Sequence, residues 1–545
     1  MSEFRNSFGE NIFNHKYANH DGQSWSEKCE LIGHDVTENL MGAEDRKQLV
    51  QNMKDFKFLP GGRYIYYAGQ QASFYNNCYL LKGEEDTREE WGQLLKRSSD
   101  CLMSGGGIGV DYSVFRPSGA PLGRTGGTAS GPLPLMCSIN EVGRNVMQGG
   151  SRRSAIYASL NWQHKDAWEF LRMKNWGDQP VADGVSYADV KRFDFNGHAP
   201  LDMTNISLNY DNKFLDHISN GHLPQIFIDN CIQALSTGEP GFSFNFGDKE
   251  DETLRNACTE VTSADDSDVC NLGSVNMGRI ADLDEFRAVV RLASGFLVCG
   301  TITADLPYDK VYSVRKKNRR LGLGLMGIHE WLLKRGYAYE MNPELRQWLE
   351  VYKEESERAA NSLCDRLSIS RPVAYRAIAP TGTIGIIAGT TTGIEPLFAV
   401  AYKRRYLVGG KQWKYEYVVD STAEELIKAY DLDPNKIETS ISLTNDWERR
   451  IRFQADVQDY VDMAISSTIN LPPWGSDENN PDKAEDFART LAKYAPRLRG
   501  FTVYPDGARG GQPLVHCTYR EAIRHKGVVF EENSEAACSG GVCGL

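Results

Sequence analysis

Apolar and polar positions along the chain mix two periods. Phe74–Leu81, Ser154–Leu160, Asn205–Asn209 and Gly500–Tyr504 alternate or run apolar over four to eight residues, which predicts strands. Glu44–Phe56, Glu89–Met103, Ile139–Met147, Asp284–Leu306 and Asn342–Leu367 carry the longer helical period, with Asn342 as an N-cap and Thr87 in an acidic capping stretch. Leu321–Gly327 is a glycine-rich apolar strand-like turn, and a helix is expected to begin near Ile384. Gly123–Pro134 reads as a loop, and Trp176–Pro200 as a long polar one. There is no heptad run or internal repeat, and no stretch of about 18 uncharged apolar residues, so no membrane span is expected. The start lacks an apolar leader segment, so secretion is not expected.

Strands interleaved with helices over 545 residues predict an α/β protein with ample core. The net charge of −12 disfavours a nucleic-acid polymer as partner, while leaving room for small phosphorylated ligands. The basic clusters Lys316–Arg320 and Lys403–Arg405 read as solvated faces, with phosphate contact as the alternative. Ser104-Gly105-Gly106-Gly107-Ile108-Gly109-Val110 lacks the third glycine of a dinucleotide fingerprint. It reads better as a place where backbone approaches backbone or ligand.

Chemistry concentrates around cysteines. Twelve are scattered through the chain, a pattern of reduced thiols rather than a disulfide framework. In Asn256-Ala257-Cys258-Thr259-Glu260 an amide, a thiol and a carboxylate alternate, and in an extended or looping segment all three face one side. Cys270 follows twelve residues after Cys258. Cys538 and Cys543 form a pair near the end, in a glycine-rich stretch suited to thiol–disulfide exchange. Two thiols supply only half of the usual metal ligand set, and no metal site is expected. Pro380-Thr381-Gly382-Thr383 places hydroxyls before a predicted helix start, an anion-binding arrangement.

Taken in order, Asn77-Cys78, Gly105–Gly109, Thr125–Pro132, Gln148–Arg153, Asn256–Glu260, Cys270-Asn271-Leu272, Pro380–Thr383 and the Cys-x4-Cys tail resemble the catalytic chain of a ribonucleotide reductase. The resemblance runs from about Phe58 to the end. It implies a ten-stranded α/β barrel with a central finger loop over 58–523, a helical segment over 1–57, and a flexible redox tail over 524–545. It implies that Cys258 becomes a thiyl radical, that Glu260 is general base, that Asn256 holds the ribose hydroxyls, and that Cys78 and Cys270 are the reducing pair. Cys538 and Cys543 then re-reduce that pair, drawing on a thioredoxin- or glutaredoxin-type reductant. Thr381, Gly382 and Thr383 hold the phosphates of a ribonucleoside di- or triphosphate. By looser position, Asp86 and Arg116 resemble an effector site for ATP or a deoxynucleotide at a homodimer interface, with the Trp176–Pro200 loop as relay. An N-terminal ATP-binding regulatory domain is absent from the resemblance, so on/off control by dATP is not expected.

For the radical source, Tyr504 is a transfer residue by position, but Pro505 follows it where members fed by a separate dimetal subunit carry a second tyrosine. The local motifs resemble the adenosylcobalamin-dependent class, and the short length resembles a compact phage-encoded type. The reading from sequence favours a ferritin-like radical-generating partner subunit, with adenosylcobalamin as the alternative and no covalently bound cofactor. The setting implied is cytoplasmic, the host's if phage-encoded. A non-catalytic nucleotide-binding regulator is the reading from another class. A glycyl-radical enzyme is disfavoured, because no Arg-Val-x-Gly-Tyr motif occurs.

Overall fold

A computed structural model describes residues 3–146, 154–194, 197–408, 412–508, 514–526 and 528–530. Ten strands form the main sheet: β1 (Phe58–Pro60), β2 (Cys78–Lys82), β3 (Gly107–Asp111), β4 (Ile156–Asn161), β5 (Thr204–Tyr210), β6 (Gly241–Phe244), β7 (Asp268–Asn276), β8 (Leu321–Met326), β9 (Thr468–Leu471) and β10 (Gly500–Pro505). Their order is β1-β7-β2-β3-β4-β5-β6-β10-β9, with β8 paired to β7. β2 through β6 are mutually parallel. β7 meets β2, and β6 meets β10, in antiparallel register, whereas β7–β8 and β9–β10 are parallel. Parallel strands are covered on both faces and read as unbroken apolar runs; every residue of β3, β6, β7 and β8 is buried.

Beyond the named strands, Leu323 bridges Arg376 and Ile378 bridges Ile465, both parallel. The Ser466 amide then donates to Ile378 O, just before β9 begins. Residues 376–378 are therefore bridged to β8 on one side and to the residues leading into β9 on the other.

Two large apolar cores flank the sheet. One joins β7, β8 and the helices Leu283–Thr303 and Pro343–Arg366 to the N-terminal helices Ser7–Lys16, Trp25–Thr37 and Ala43–Lys54. The other joins β2–β6, β9 and β10 to helices Arg88–Met103, Leu133–Asn145, Gln225–Thr237 and Pro481–Tyr494. Between them lies a small cluster that includes Cys78, Leu80, Leu254, Val261, Cys270 and Met463. Helix Leu283–Thr303 is long and apolar enough to cross a membrane by composition, but most of it is buried in the first core.

Three expectations change. The stretch 176–200 is no bare loop: the short strands Pro180–Ala182 and Val185–Ser186 form a hairpin, and helix Tyr187–Phe193 follows, started by a reciprocal Ser186–Asp189 capping box. The cluster 316–320 is a solvated face only in part, at the exposed Lys316 and Lys317. Arg319 and Arg320 are buried, and Arg320 donates to Asp268 at 2.6 Å because the helix Asp309–Asn318 delivers it against the acidic start of β7. The chain also stays in regular structure past residue 524, since Val529–Phe530 pairs with Tyr415–Glu416 in a second sheet of four strands. Arg404 belongs to that sheet and pairs with Glu416 directly opposite, at 2.7 Å.

Candidate active site

The Leu254–Arg255 and Thr262–Ser263 strands pair antiparallel and carry Cys258 at the tip between them. The tip is a turn, the looping form of the segment expected. The Thr259 amide donates to Asn256 O at 3.0 Å, and Thr259 adopts a φ of +73°. The turn still brings Asn256, Cys258 and Glu260 to one cavity. Asn256 braces it from inside, its Oδ1 accepting from the Val261 amide at 2.9 Å.

The hairpin is wedged between distant parts of the chain. On one side it crosses β3 at Gly109, where an added Cβ would lie 1.6 Å from Arg255 O. The glycine cluster thus admits backbone against backbone, as its composition suggested. On the other side the Ala464 amide donates to Glu260 O at 2.8 Å. The buried Arg255 guanidinium donates to Asn245 Oδ1 at 2.7 Å and to Arg499 O at 3.0 Å, tying the hairpin base to β6 and the start of β10.

Cys78 and Cys270 are direct cross-strand partners in the β2–β7 ladder. Opposed residues of this kind hold their Cβ atoms about 4.5–5.5 Å apart, near the separation a disulfide needs. Both are buried, and burial pushes both thiols well above their ordinary value; for Cys78, Glu260, Cys258 and Cys270 add to the rise. They therefore stand as protonated thiols, suited to donating hydrogen and unsuited to thiolate attack. The Asn256 side-chain amide donates to Cys78 Sγ at 2.9 Å, linking hairpin tip and ladder. Cys258, by contrast, is exposed, and its surface lines the cavity.

Burial raises the Glu260 carboxyl to about 7, with Asn256 pulling the other way. Its Oε2 has no hydrogen-bond partner, and neither do Asn77 Oδ1 and Ser274 Oγ, which belong to the same cavity wall. Three orphaned acceptors around one cavity fit a ligand rich in hydroxyl groups. The folded value lies above the ordinary 4.5. The folded chain therefore keeps a proton the unfolded chain loses, and stability contributed by this group falls as pH rises from about 4.5 to about 7. Glu260→Gln is expected to remove that fall. Melting of parent and variant between pH 5 and 8 checks it, and parallel curves would refute it.

Thr381, Gly382 and Thr383 also line the cavity, with helix Gly382–Ala388 starting at Gly382, two residues before the start expected. Thr381 Oγ1 accepts from the Gly393 amide at 2.8 Å and so fixes the loop that follows the helix. The helix is steadied from the N-terminus: Arg5 donates to Gly389 O at its end and pairs with Glu330 at 3.0 Å. The N-terminal segment reaches the cavity too, through Tyr17 and Gly61-Gly62-Arg63. By sequence, Pro60-Gly61-Gly62 is a turn signature that stops the preceding helix. The signal missed was a glycine pair followed at once by a helix carrying a cation.

The remaining expected positions lie elsewhere. Asp86 and Arg116 are brought together, Arg116 Nε donating to Asp86 Oδ2 at 2.7 Å, but neither lines this cavity. Tyr504 sits on β10 opposite Asn470 and is half-buried. Cys538 and Cys543, and Gln148–Arg153, lie outside the described residues. Neither basic cluster lines the cavity.

The family model described as "Ribonucleotide reductase, barrel domain" matches residues 76–239, 243–360 and 371–495. Similar curated proteins include the vitamin B12-dependent ribonucleoside-diphosphate reductase of Mycobacterium tuberculosis, 25% identical over 95% of this chain and 78% of that protein. The protein of the same name from Thermoplasma acidophilum is 28% identical over 86% of this chain and 66% of its own length. A putative adenosylcobalamin-dependent ribonucleoside-triphosphate reductase of Mycobacterium phage D29 is 26% identical over 87% of this chain and 78% of that protein.

Proposed function

This chain belongs to the ribonucleotide reductase family, and we propose that it reduces ribonucleotides to 2′-deoxyribonucleotides at the Cys258 cavity with adenosylcobalamin as the radical source. The observation that carries the reaction is the convergence of one exposed thiol, two buried cross-strand thiols and a carboxyl of raised pKa on one cavity. We read the sheet as the family's barrel. β2–β6 form one parallel half; β7, β8, residues 374–378, β9 with the residues before it, and β10 form the other. The bridges at Arg376 and Ile465 support that reading, and the hairpin between the halves is then the finger loop.

Cys258, as thiyl radical, takes the 3′-hydrogen atom of the ribose. Glu260 accepts the 3′-hydroxyl proton, as a base with a pKa near the working pH can. Asn256 orients the ribose and the Cys78 thiol together. One of Cys78 and Cys270 protonates the departing 2′-hydroxyl, which leaves as water. The other thiol gives a hydrogen atom to C2′, the pair closes as a disulfide and passes its remaining electron to the 3′-carbonyl as Glu260 returns the proton, and the 3′-hydrogen atom comes back from Cys258. Thr381 to Thr383 hold the phosphates.

Sequence alone favoured a ferritin-like partner, but the similar proteins named above are B12- or adenosylcobalamin-dependent, and Tyr504-Pro505 lacks the second tyrosine. The exposed Cys258, open on the cavity side, would face such a cofactor. Adenosylcobalamin, when bound, supplies the carbon-centred radical that removes the thiol hydrogen atom. Purified protein with adenosylcobalamin, a dithiol and ribonucleotide is expected to yield deoxynucleotide with no second protein. Turnover only after addition of a dimetal subunit would overturn the source. Diphosphate and triphosphate substrates are compared in the same assay.

The tail pair is assigned the re-reduction of Cys78–Cys270, and Asp86 with Arg116 the effector contact at a homodimer interface. Cys538→Ser/Cys543→Ser is expected to give about one turnover with thioredoxin and near-normal activity with a small dithiol. Sustained turnover with thioredoxin alone would make the tail dispensable.

A further inference from the structure

Among its described lining residues, the cavity holds one carboxylate side chain, Glu260, and one cationic side chain, Arg63. The mechanism uses the first and leaves the second without a task. Arg63 lies in helix Gly62–Tyr67 and is only 8% exposed. Its guanidinium occupies a slot that exists because residue 105 is glycine: an added Cβ there would stand 2.6 Å from Nη1 and 2.9 Å from Cζ, and Gly105 has a φ of +89°. Both sides of that contact, Arg63 and Gly105, belong to the lining that also includes Cys258 and Thr381–Thr383. Arg63 also lies upstream of the span matched by the family model, which begins at residue 76.

A ribonucleoside di- or triphosphate brings several negative charges into this cavity. Hydroxyls and amides around Thr381–Thr383 donate hydrogen bonds but carry no net charge. A planar guanidinium is the group that matches two phosphate oxygens at once. We propose that Arg63 is a substrate-binding residue that pairs with the phosphate chain of the ribonucleotide and, through that charge, makes the cavity select nucleotides over nucleosides. This rests on the proposed function for the identity of the ligand.

The test measures equilibrium binding of a ribonucleoside diphosphate, a triphosphate and the unphosphorylated nucleoside to the full chain, with no radical source present. Arg63→Gln is expected to weaken both nucleotides by roughly 10- to 100-fold and to leave the nucleoside within about twofold. Equal losses for nucleotide and nucleoside would make Arg63 structural, and unchanged nucleotide affinity would make it irrelevant; either overturns the proposal. Should Arg63→Gln not fold, Arg63→Lys decides. Losing the fork but keeping the charge should lower the nucleotide-to-nucleoside ratio by roughly 3- to 10-fold, and an unchanged ratio overturns the proposal. Arg63-dependent binding without any deoxynucleotide product would overturn the proposed reaction and leave this inference standing.

Discussion

Cys258→Ser forms no deoxynucleotide under conditions that give multiple turnovers for the parent chain, while its melting midpoint stays within about 2 °C of the parent. The two halves of this expectation have separate causes. An alcohol O–H is far stronger than a thiol S–H, so serine at the hairpin tip yields no hydrogen-abstracting radical, and the neighbouring groups have nothing to act on. Stability is spared because Cys258 is exposed on the cavity side, so the change removes little packing. Product assay and calorimetry on the same preparation check both. Deoxynucleotide from the serine variant would remove Cys258 from its role. A collapsed melting midpoint with residual activity would recast it as a structural residue. The non-catalytic nucleotide-binding alternative expects the serine variant to be indistinguishable from the parent.

Gly109→Ala carries the second large effect, and it strikes both properties. The added methyl would lie 1.6 Å from Arg255 O, and backbone lies on both sides of the clash. Either β3 shifts within a fully buried ladder or the hairpin lifts. Overpacking of this sort costs about 1–3 kcal/mol or more, and the midpoint of urea unfolding should fall accordingly. A hairpin displaced by about 1 Å misaligns Cys258, and a single-turnover rate roughly 100-fold lower follows. Rates and midpoints close to the parent's would mean that the hairpin does not rest on β3 as described.

How legible this was in the sequence depended on how local each signal is. Helix Pro343–Arg366 follows from Asn342, whose side chain accepts from the Leu345 amide as an N-cap should. β8 and β10 follow from short apolar runs. The cysteine positions stand out by their neighbours and their order along the chain, and the cross-strand placement of Cys78 and Cys270 adds the geometry that spacing cannot give. What escaped reading is long-range. Arg320 looks solvated until Asp268 of β7 is set beside it, and no period within the 316–320 cluster encodes that pairing. The 176–200 stretch looks unstructured because its elements are only two to seven residues long and bury nothing. Arg63 and Tyr17 looked remote from the thiols because only the tertiary fold brings an N-terminal helix end to the cavity.

The wedged hairpin has a consequence for the order in which the protein is made. Its first wall, β3, precedes Cys258 in the chain, but the contacts at Ala464 and Arg499 come more than two hundred residues later. At ordinary elongation rates the nascent chain carries Cys258 for roughly ten to fifty seconds before the second wall emerges from the ribosome. Throughout that interval the three thiols are made but not enclosed, and a radical placed on Cys258 would have no protected substrate to meet. On the proposed reaction, a separate radical source would find a complete cavity to recognise only after the chain is released.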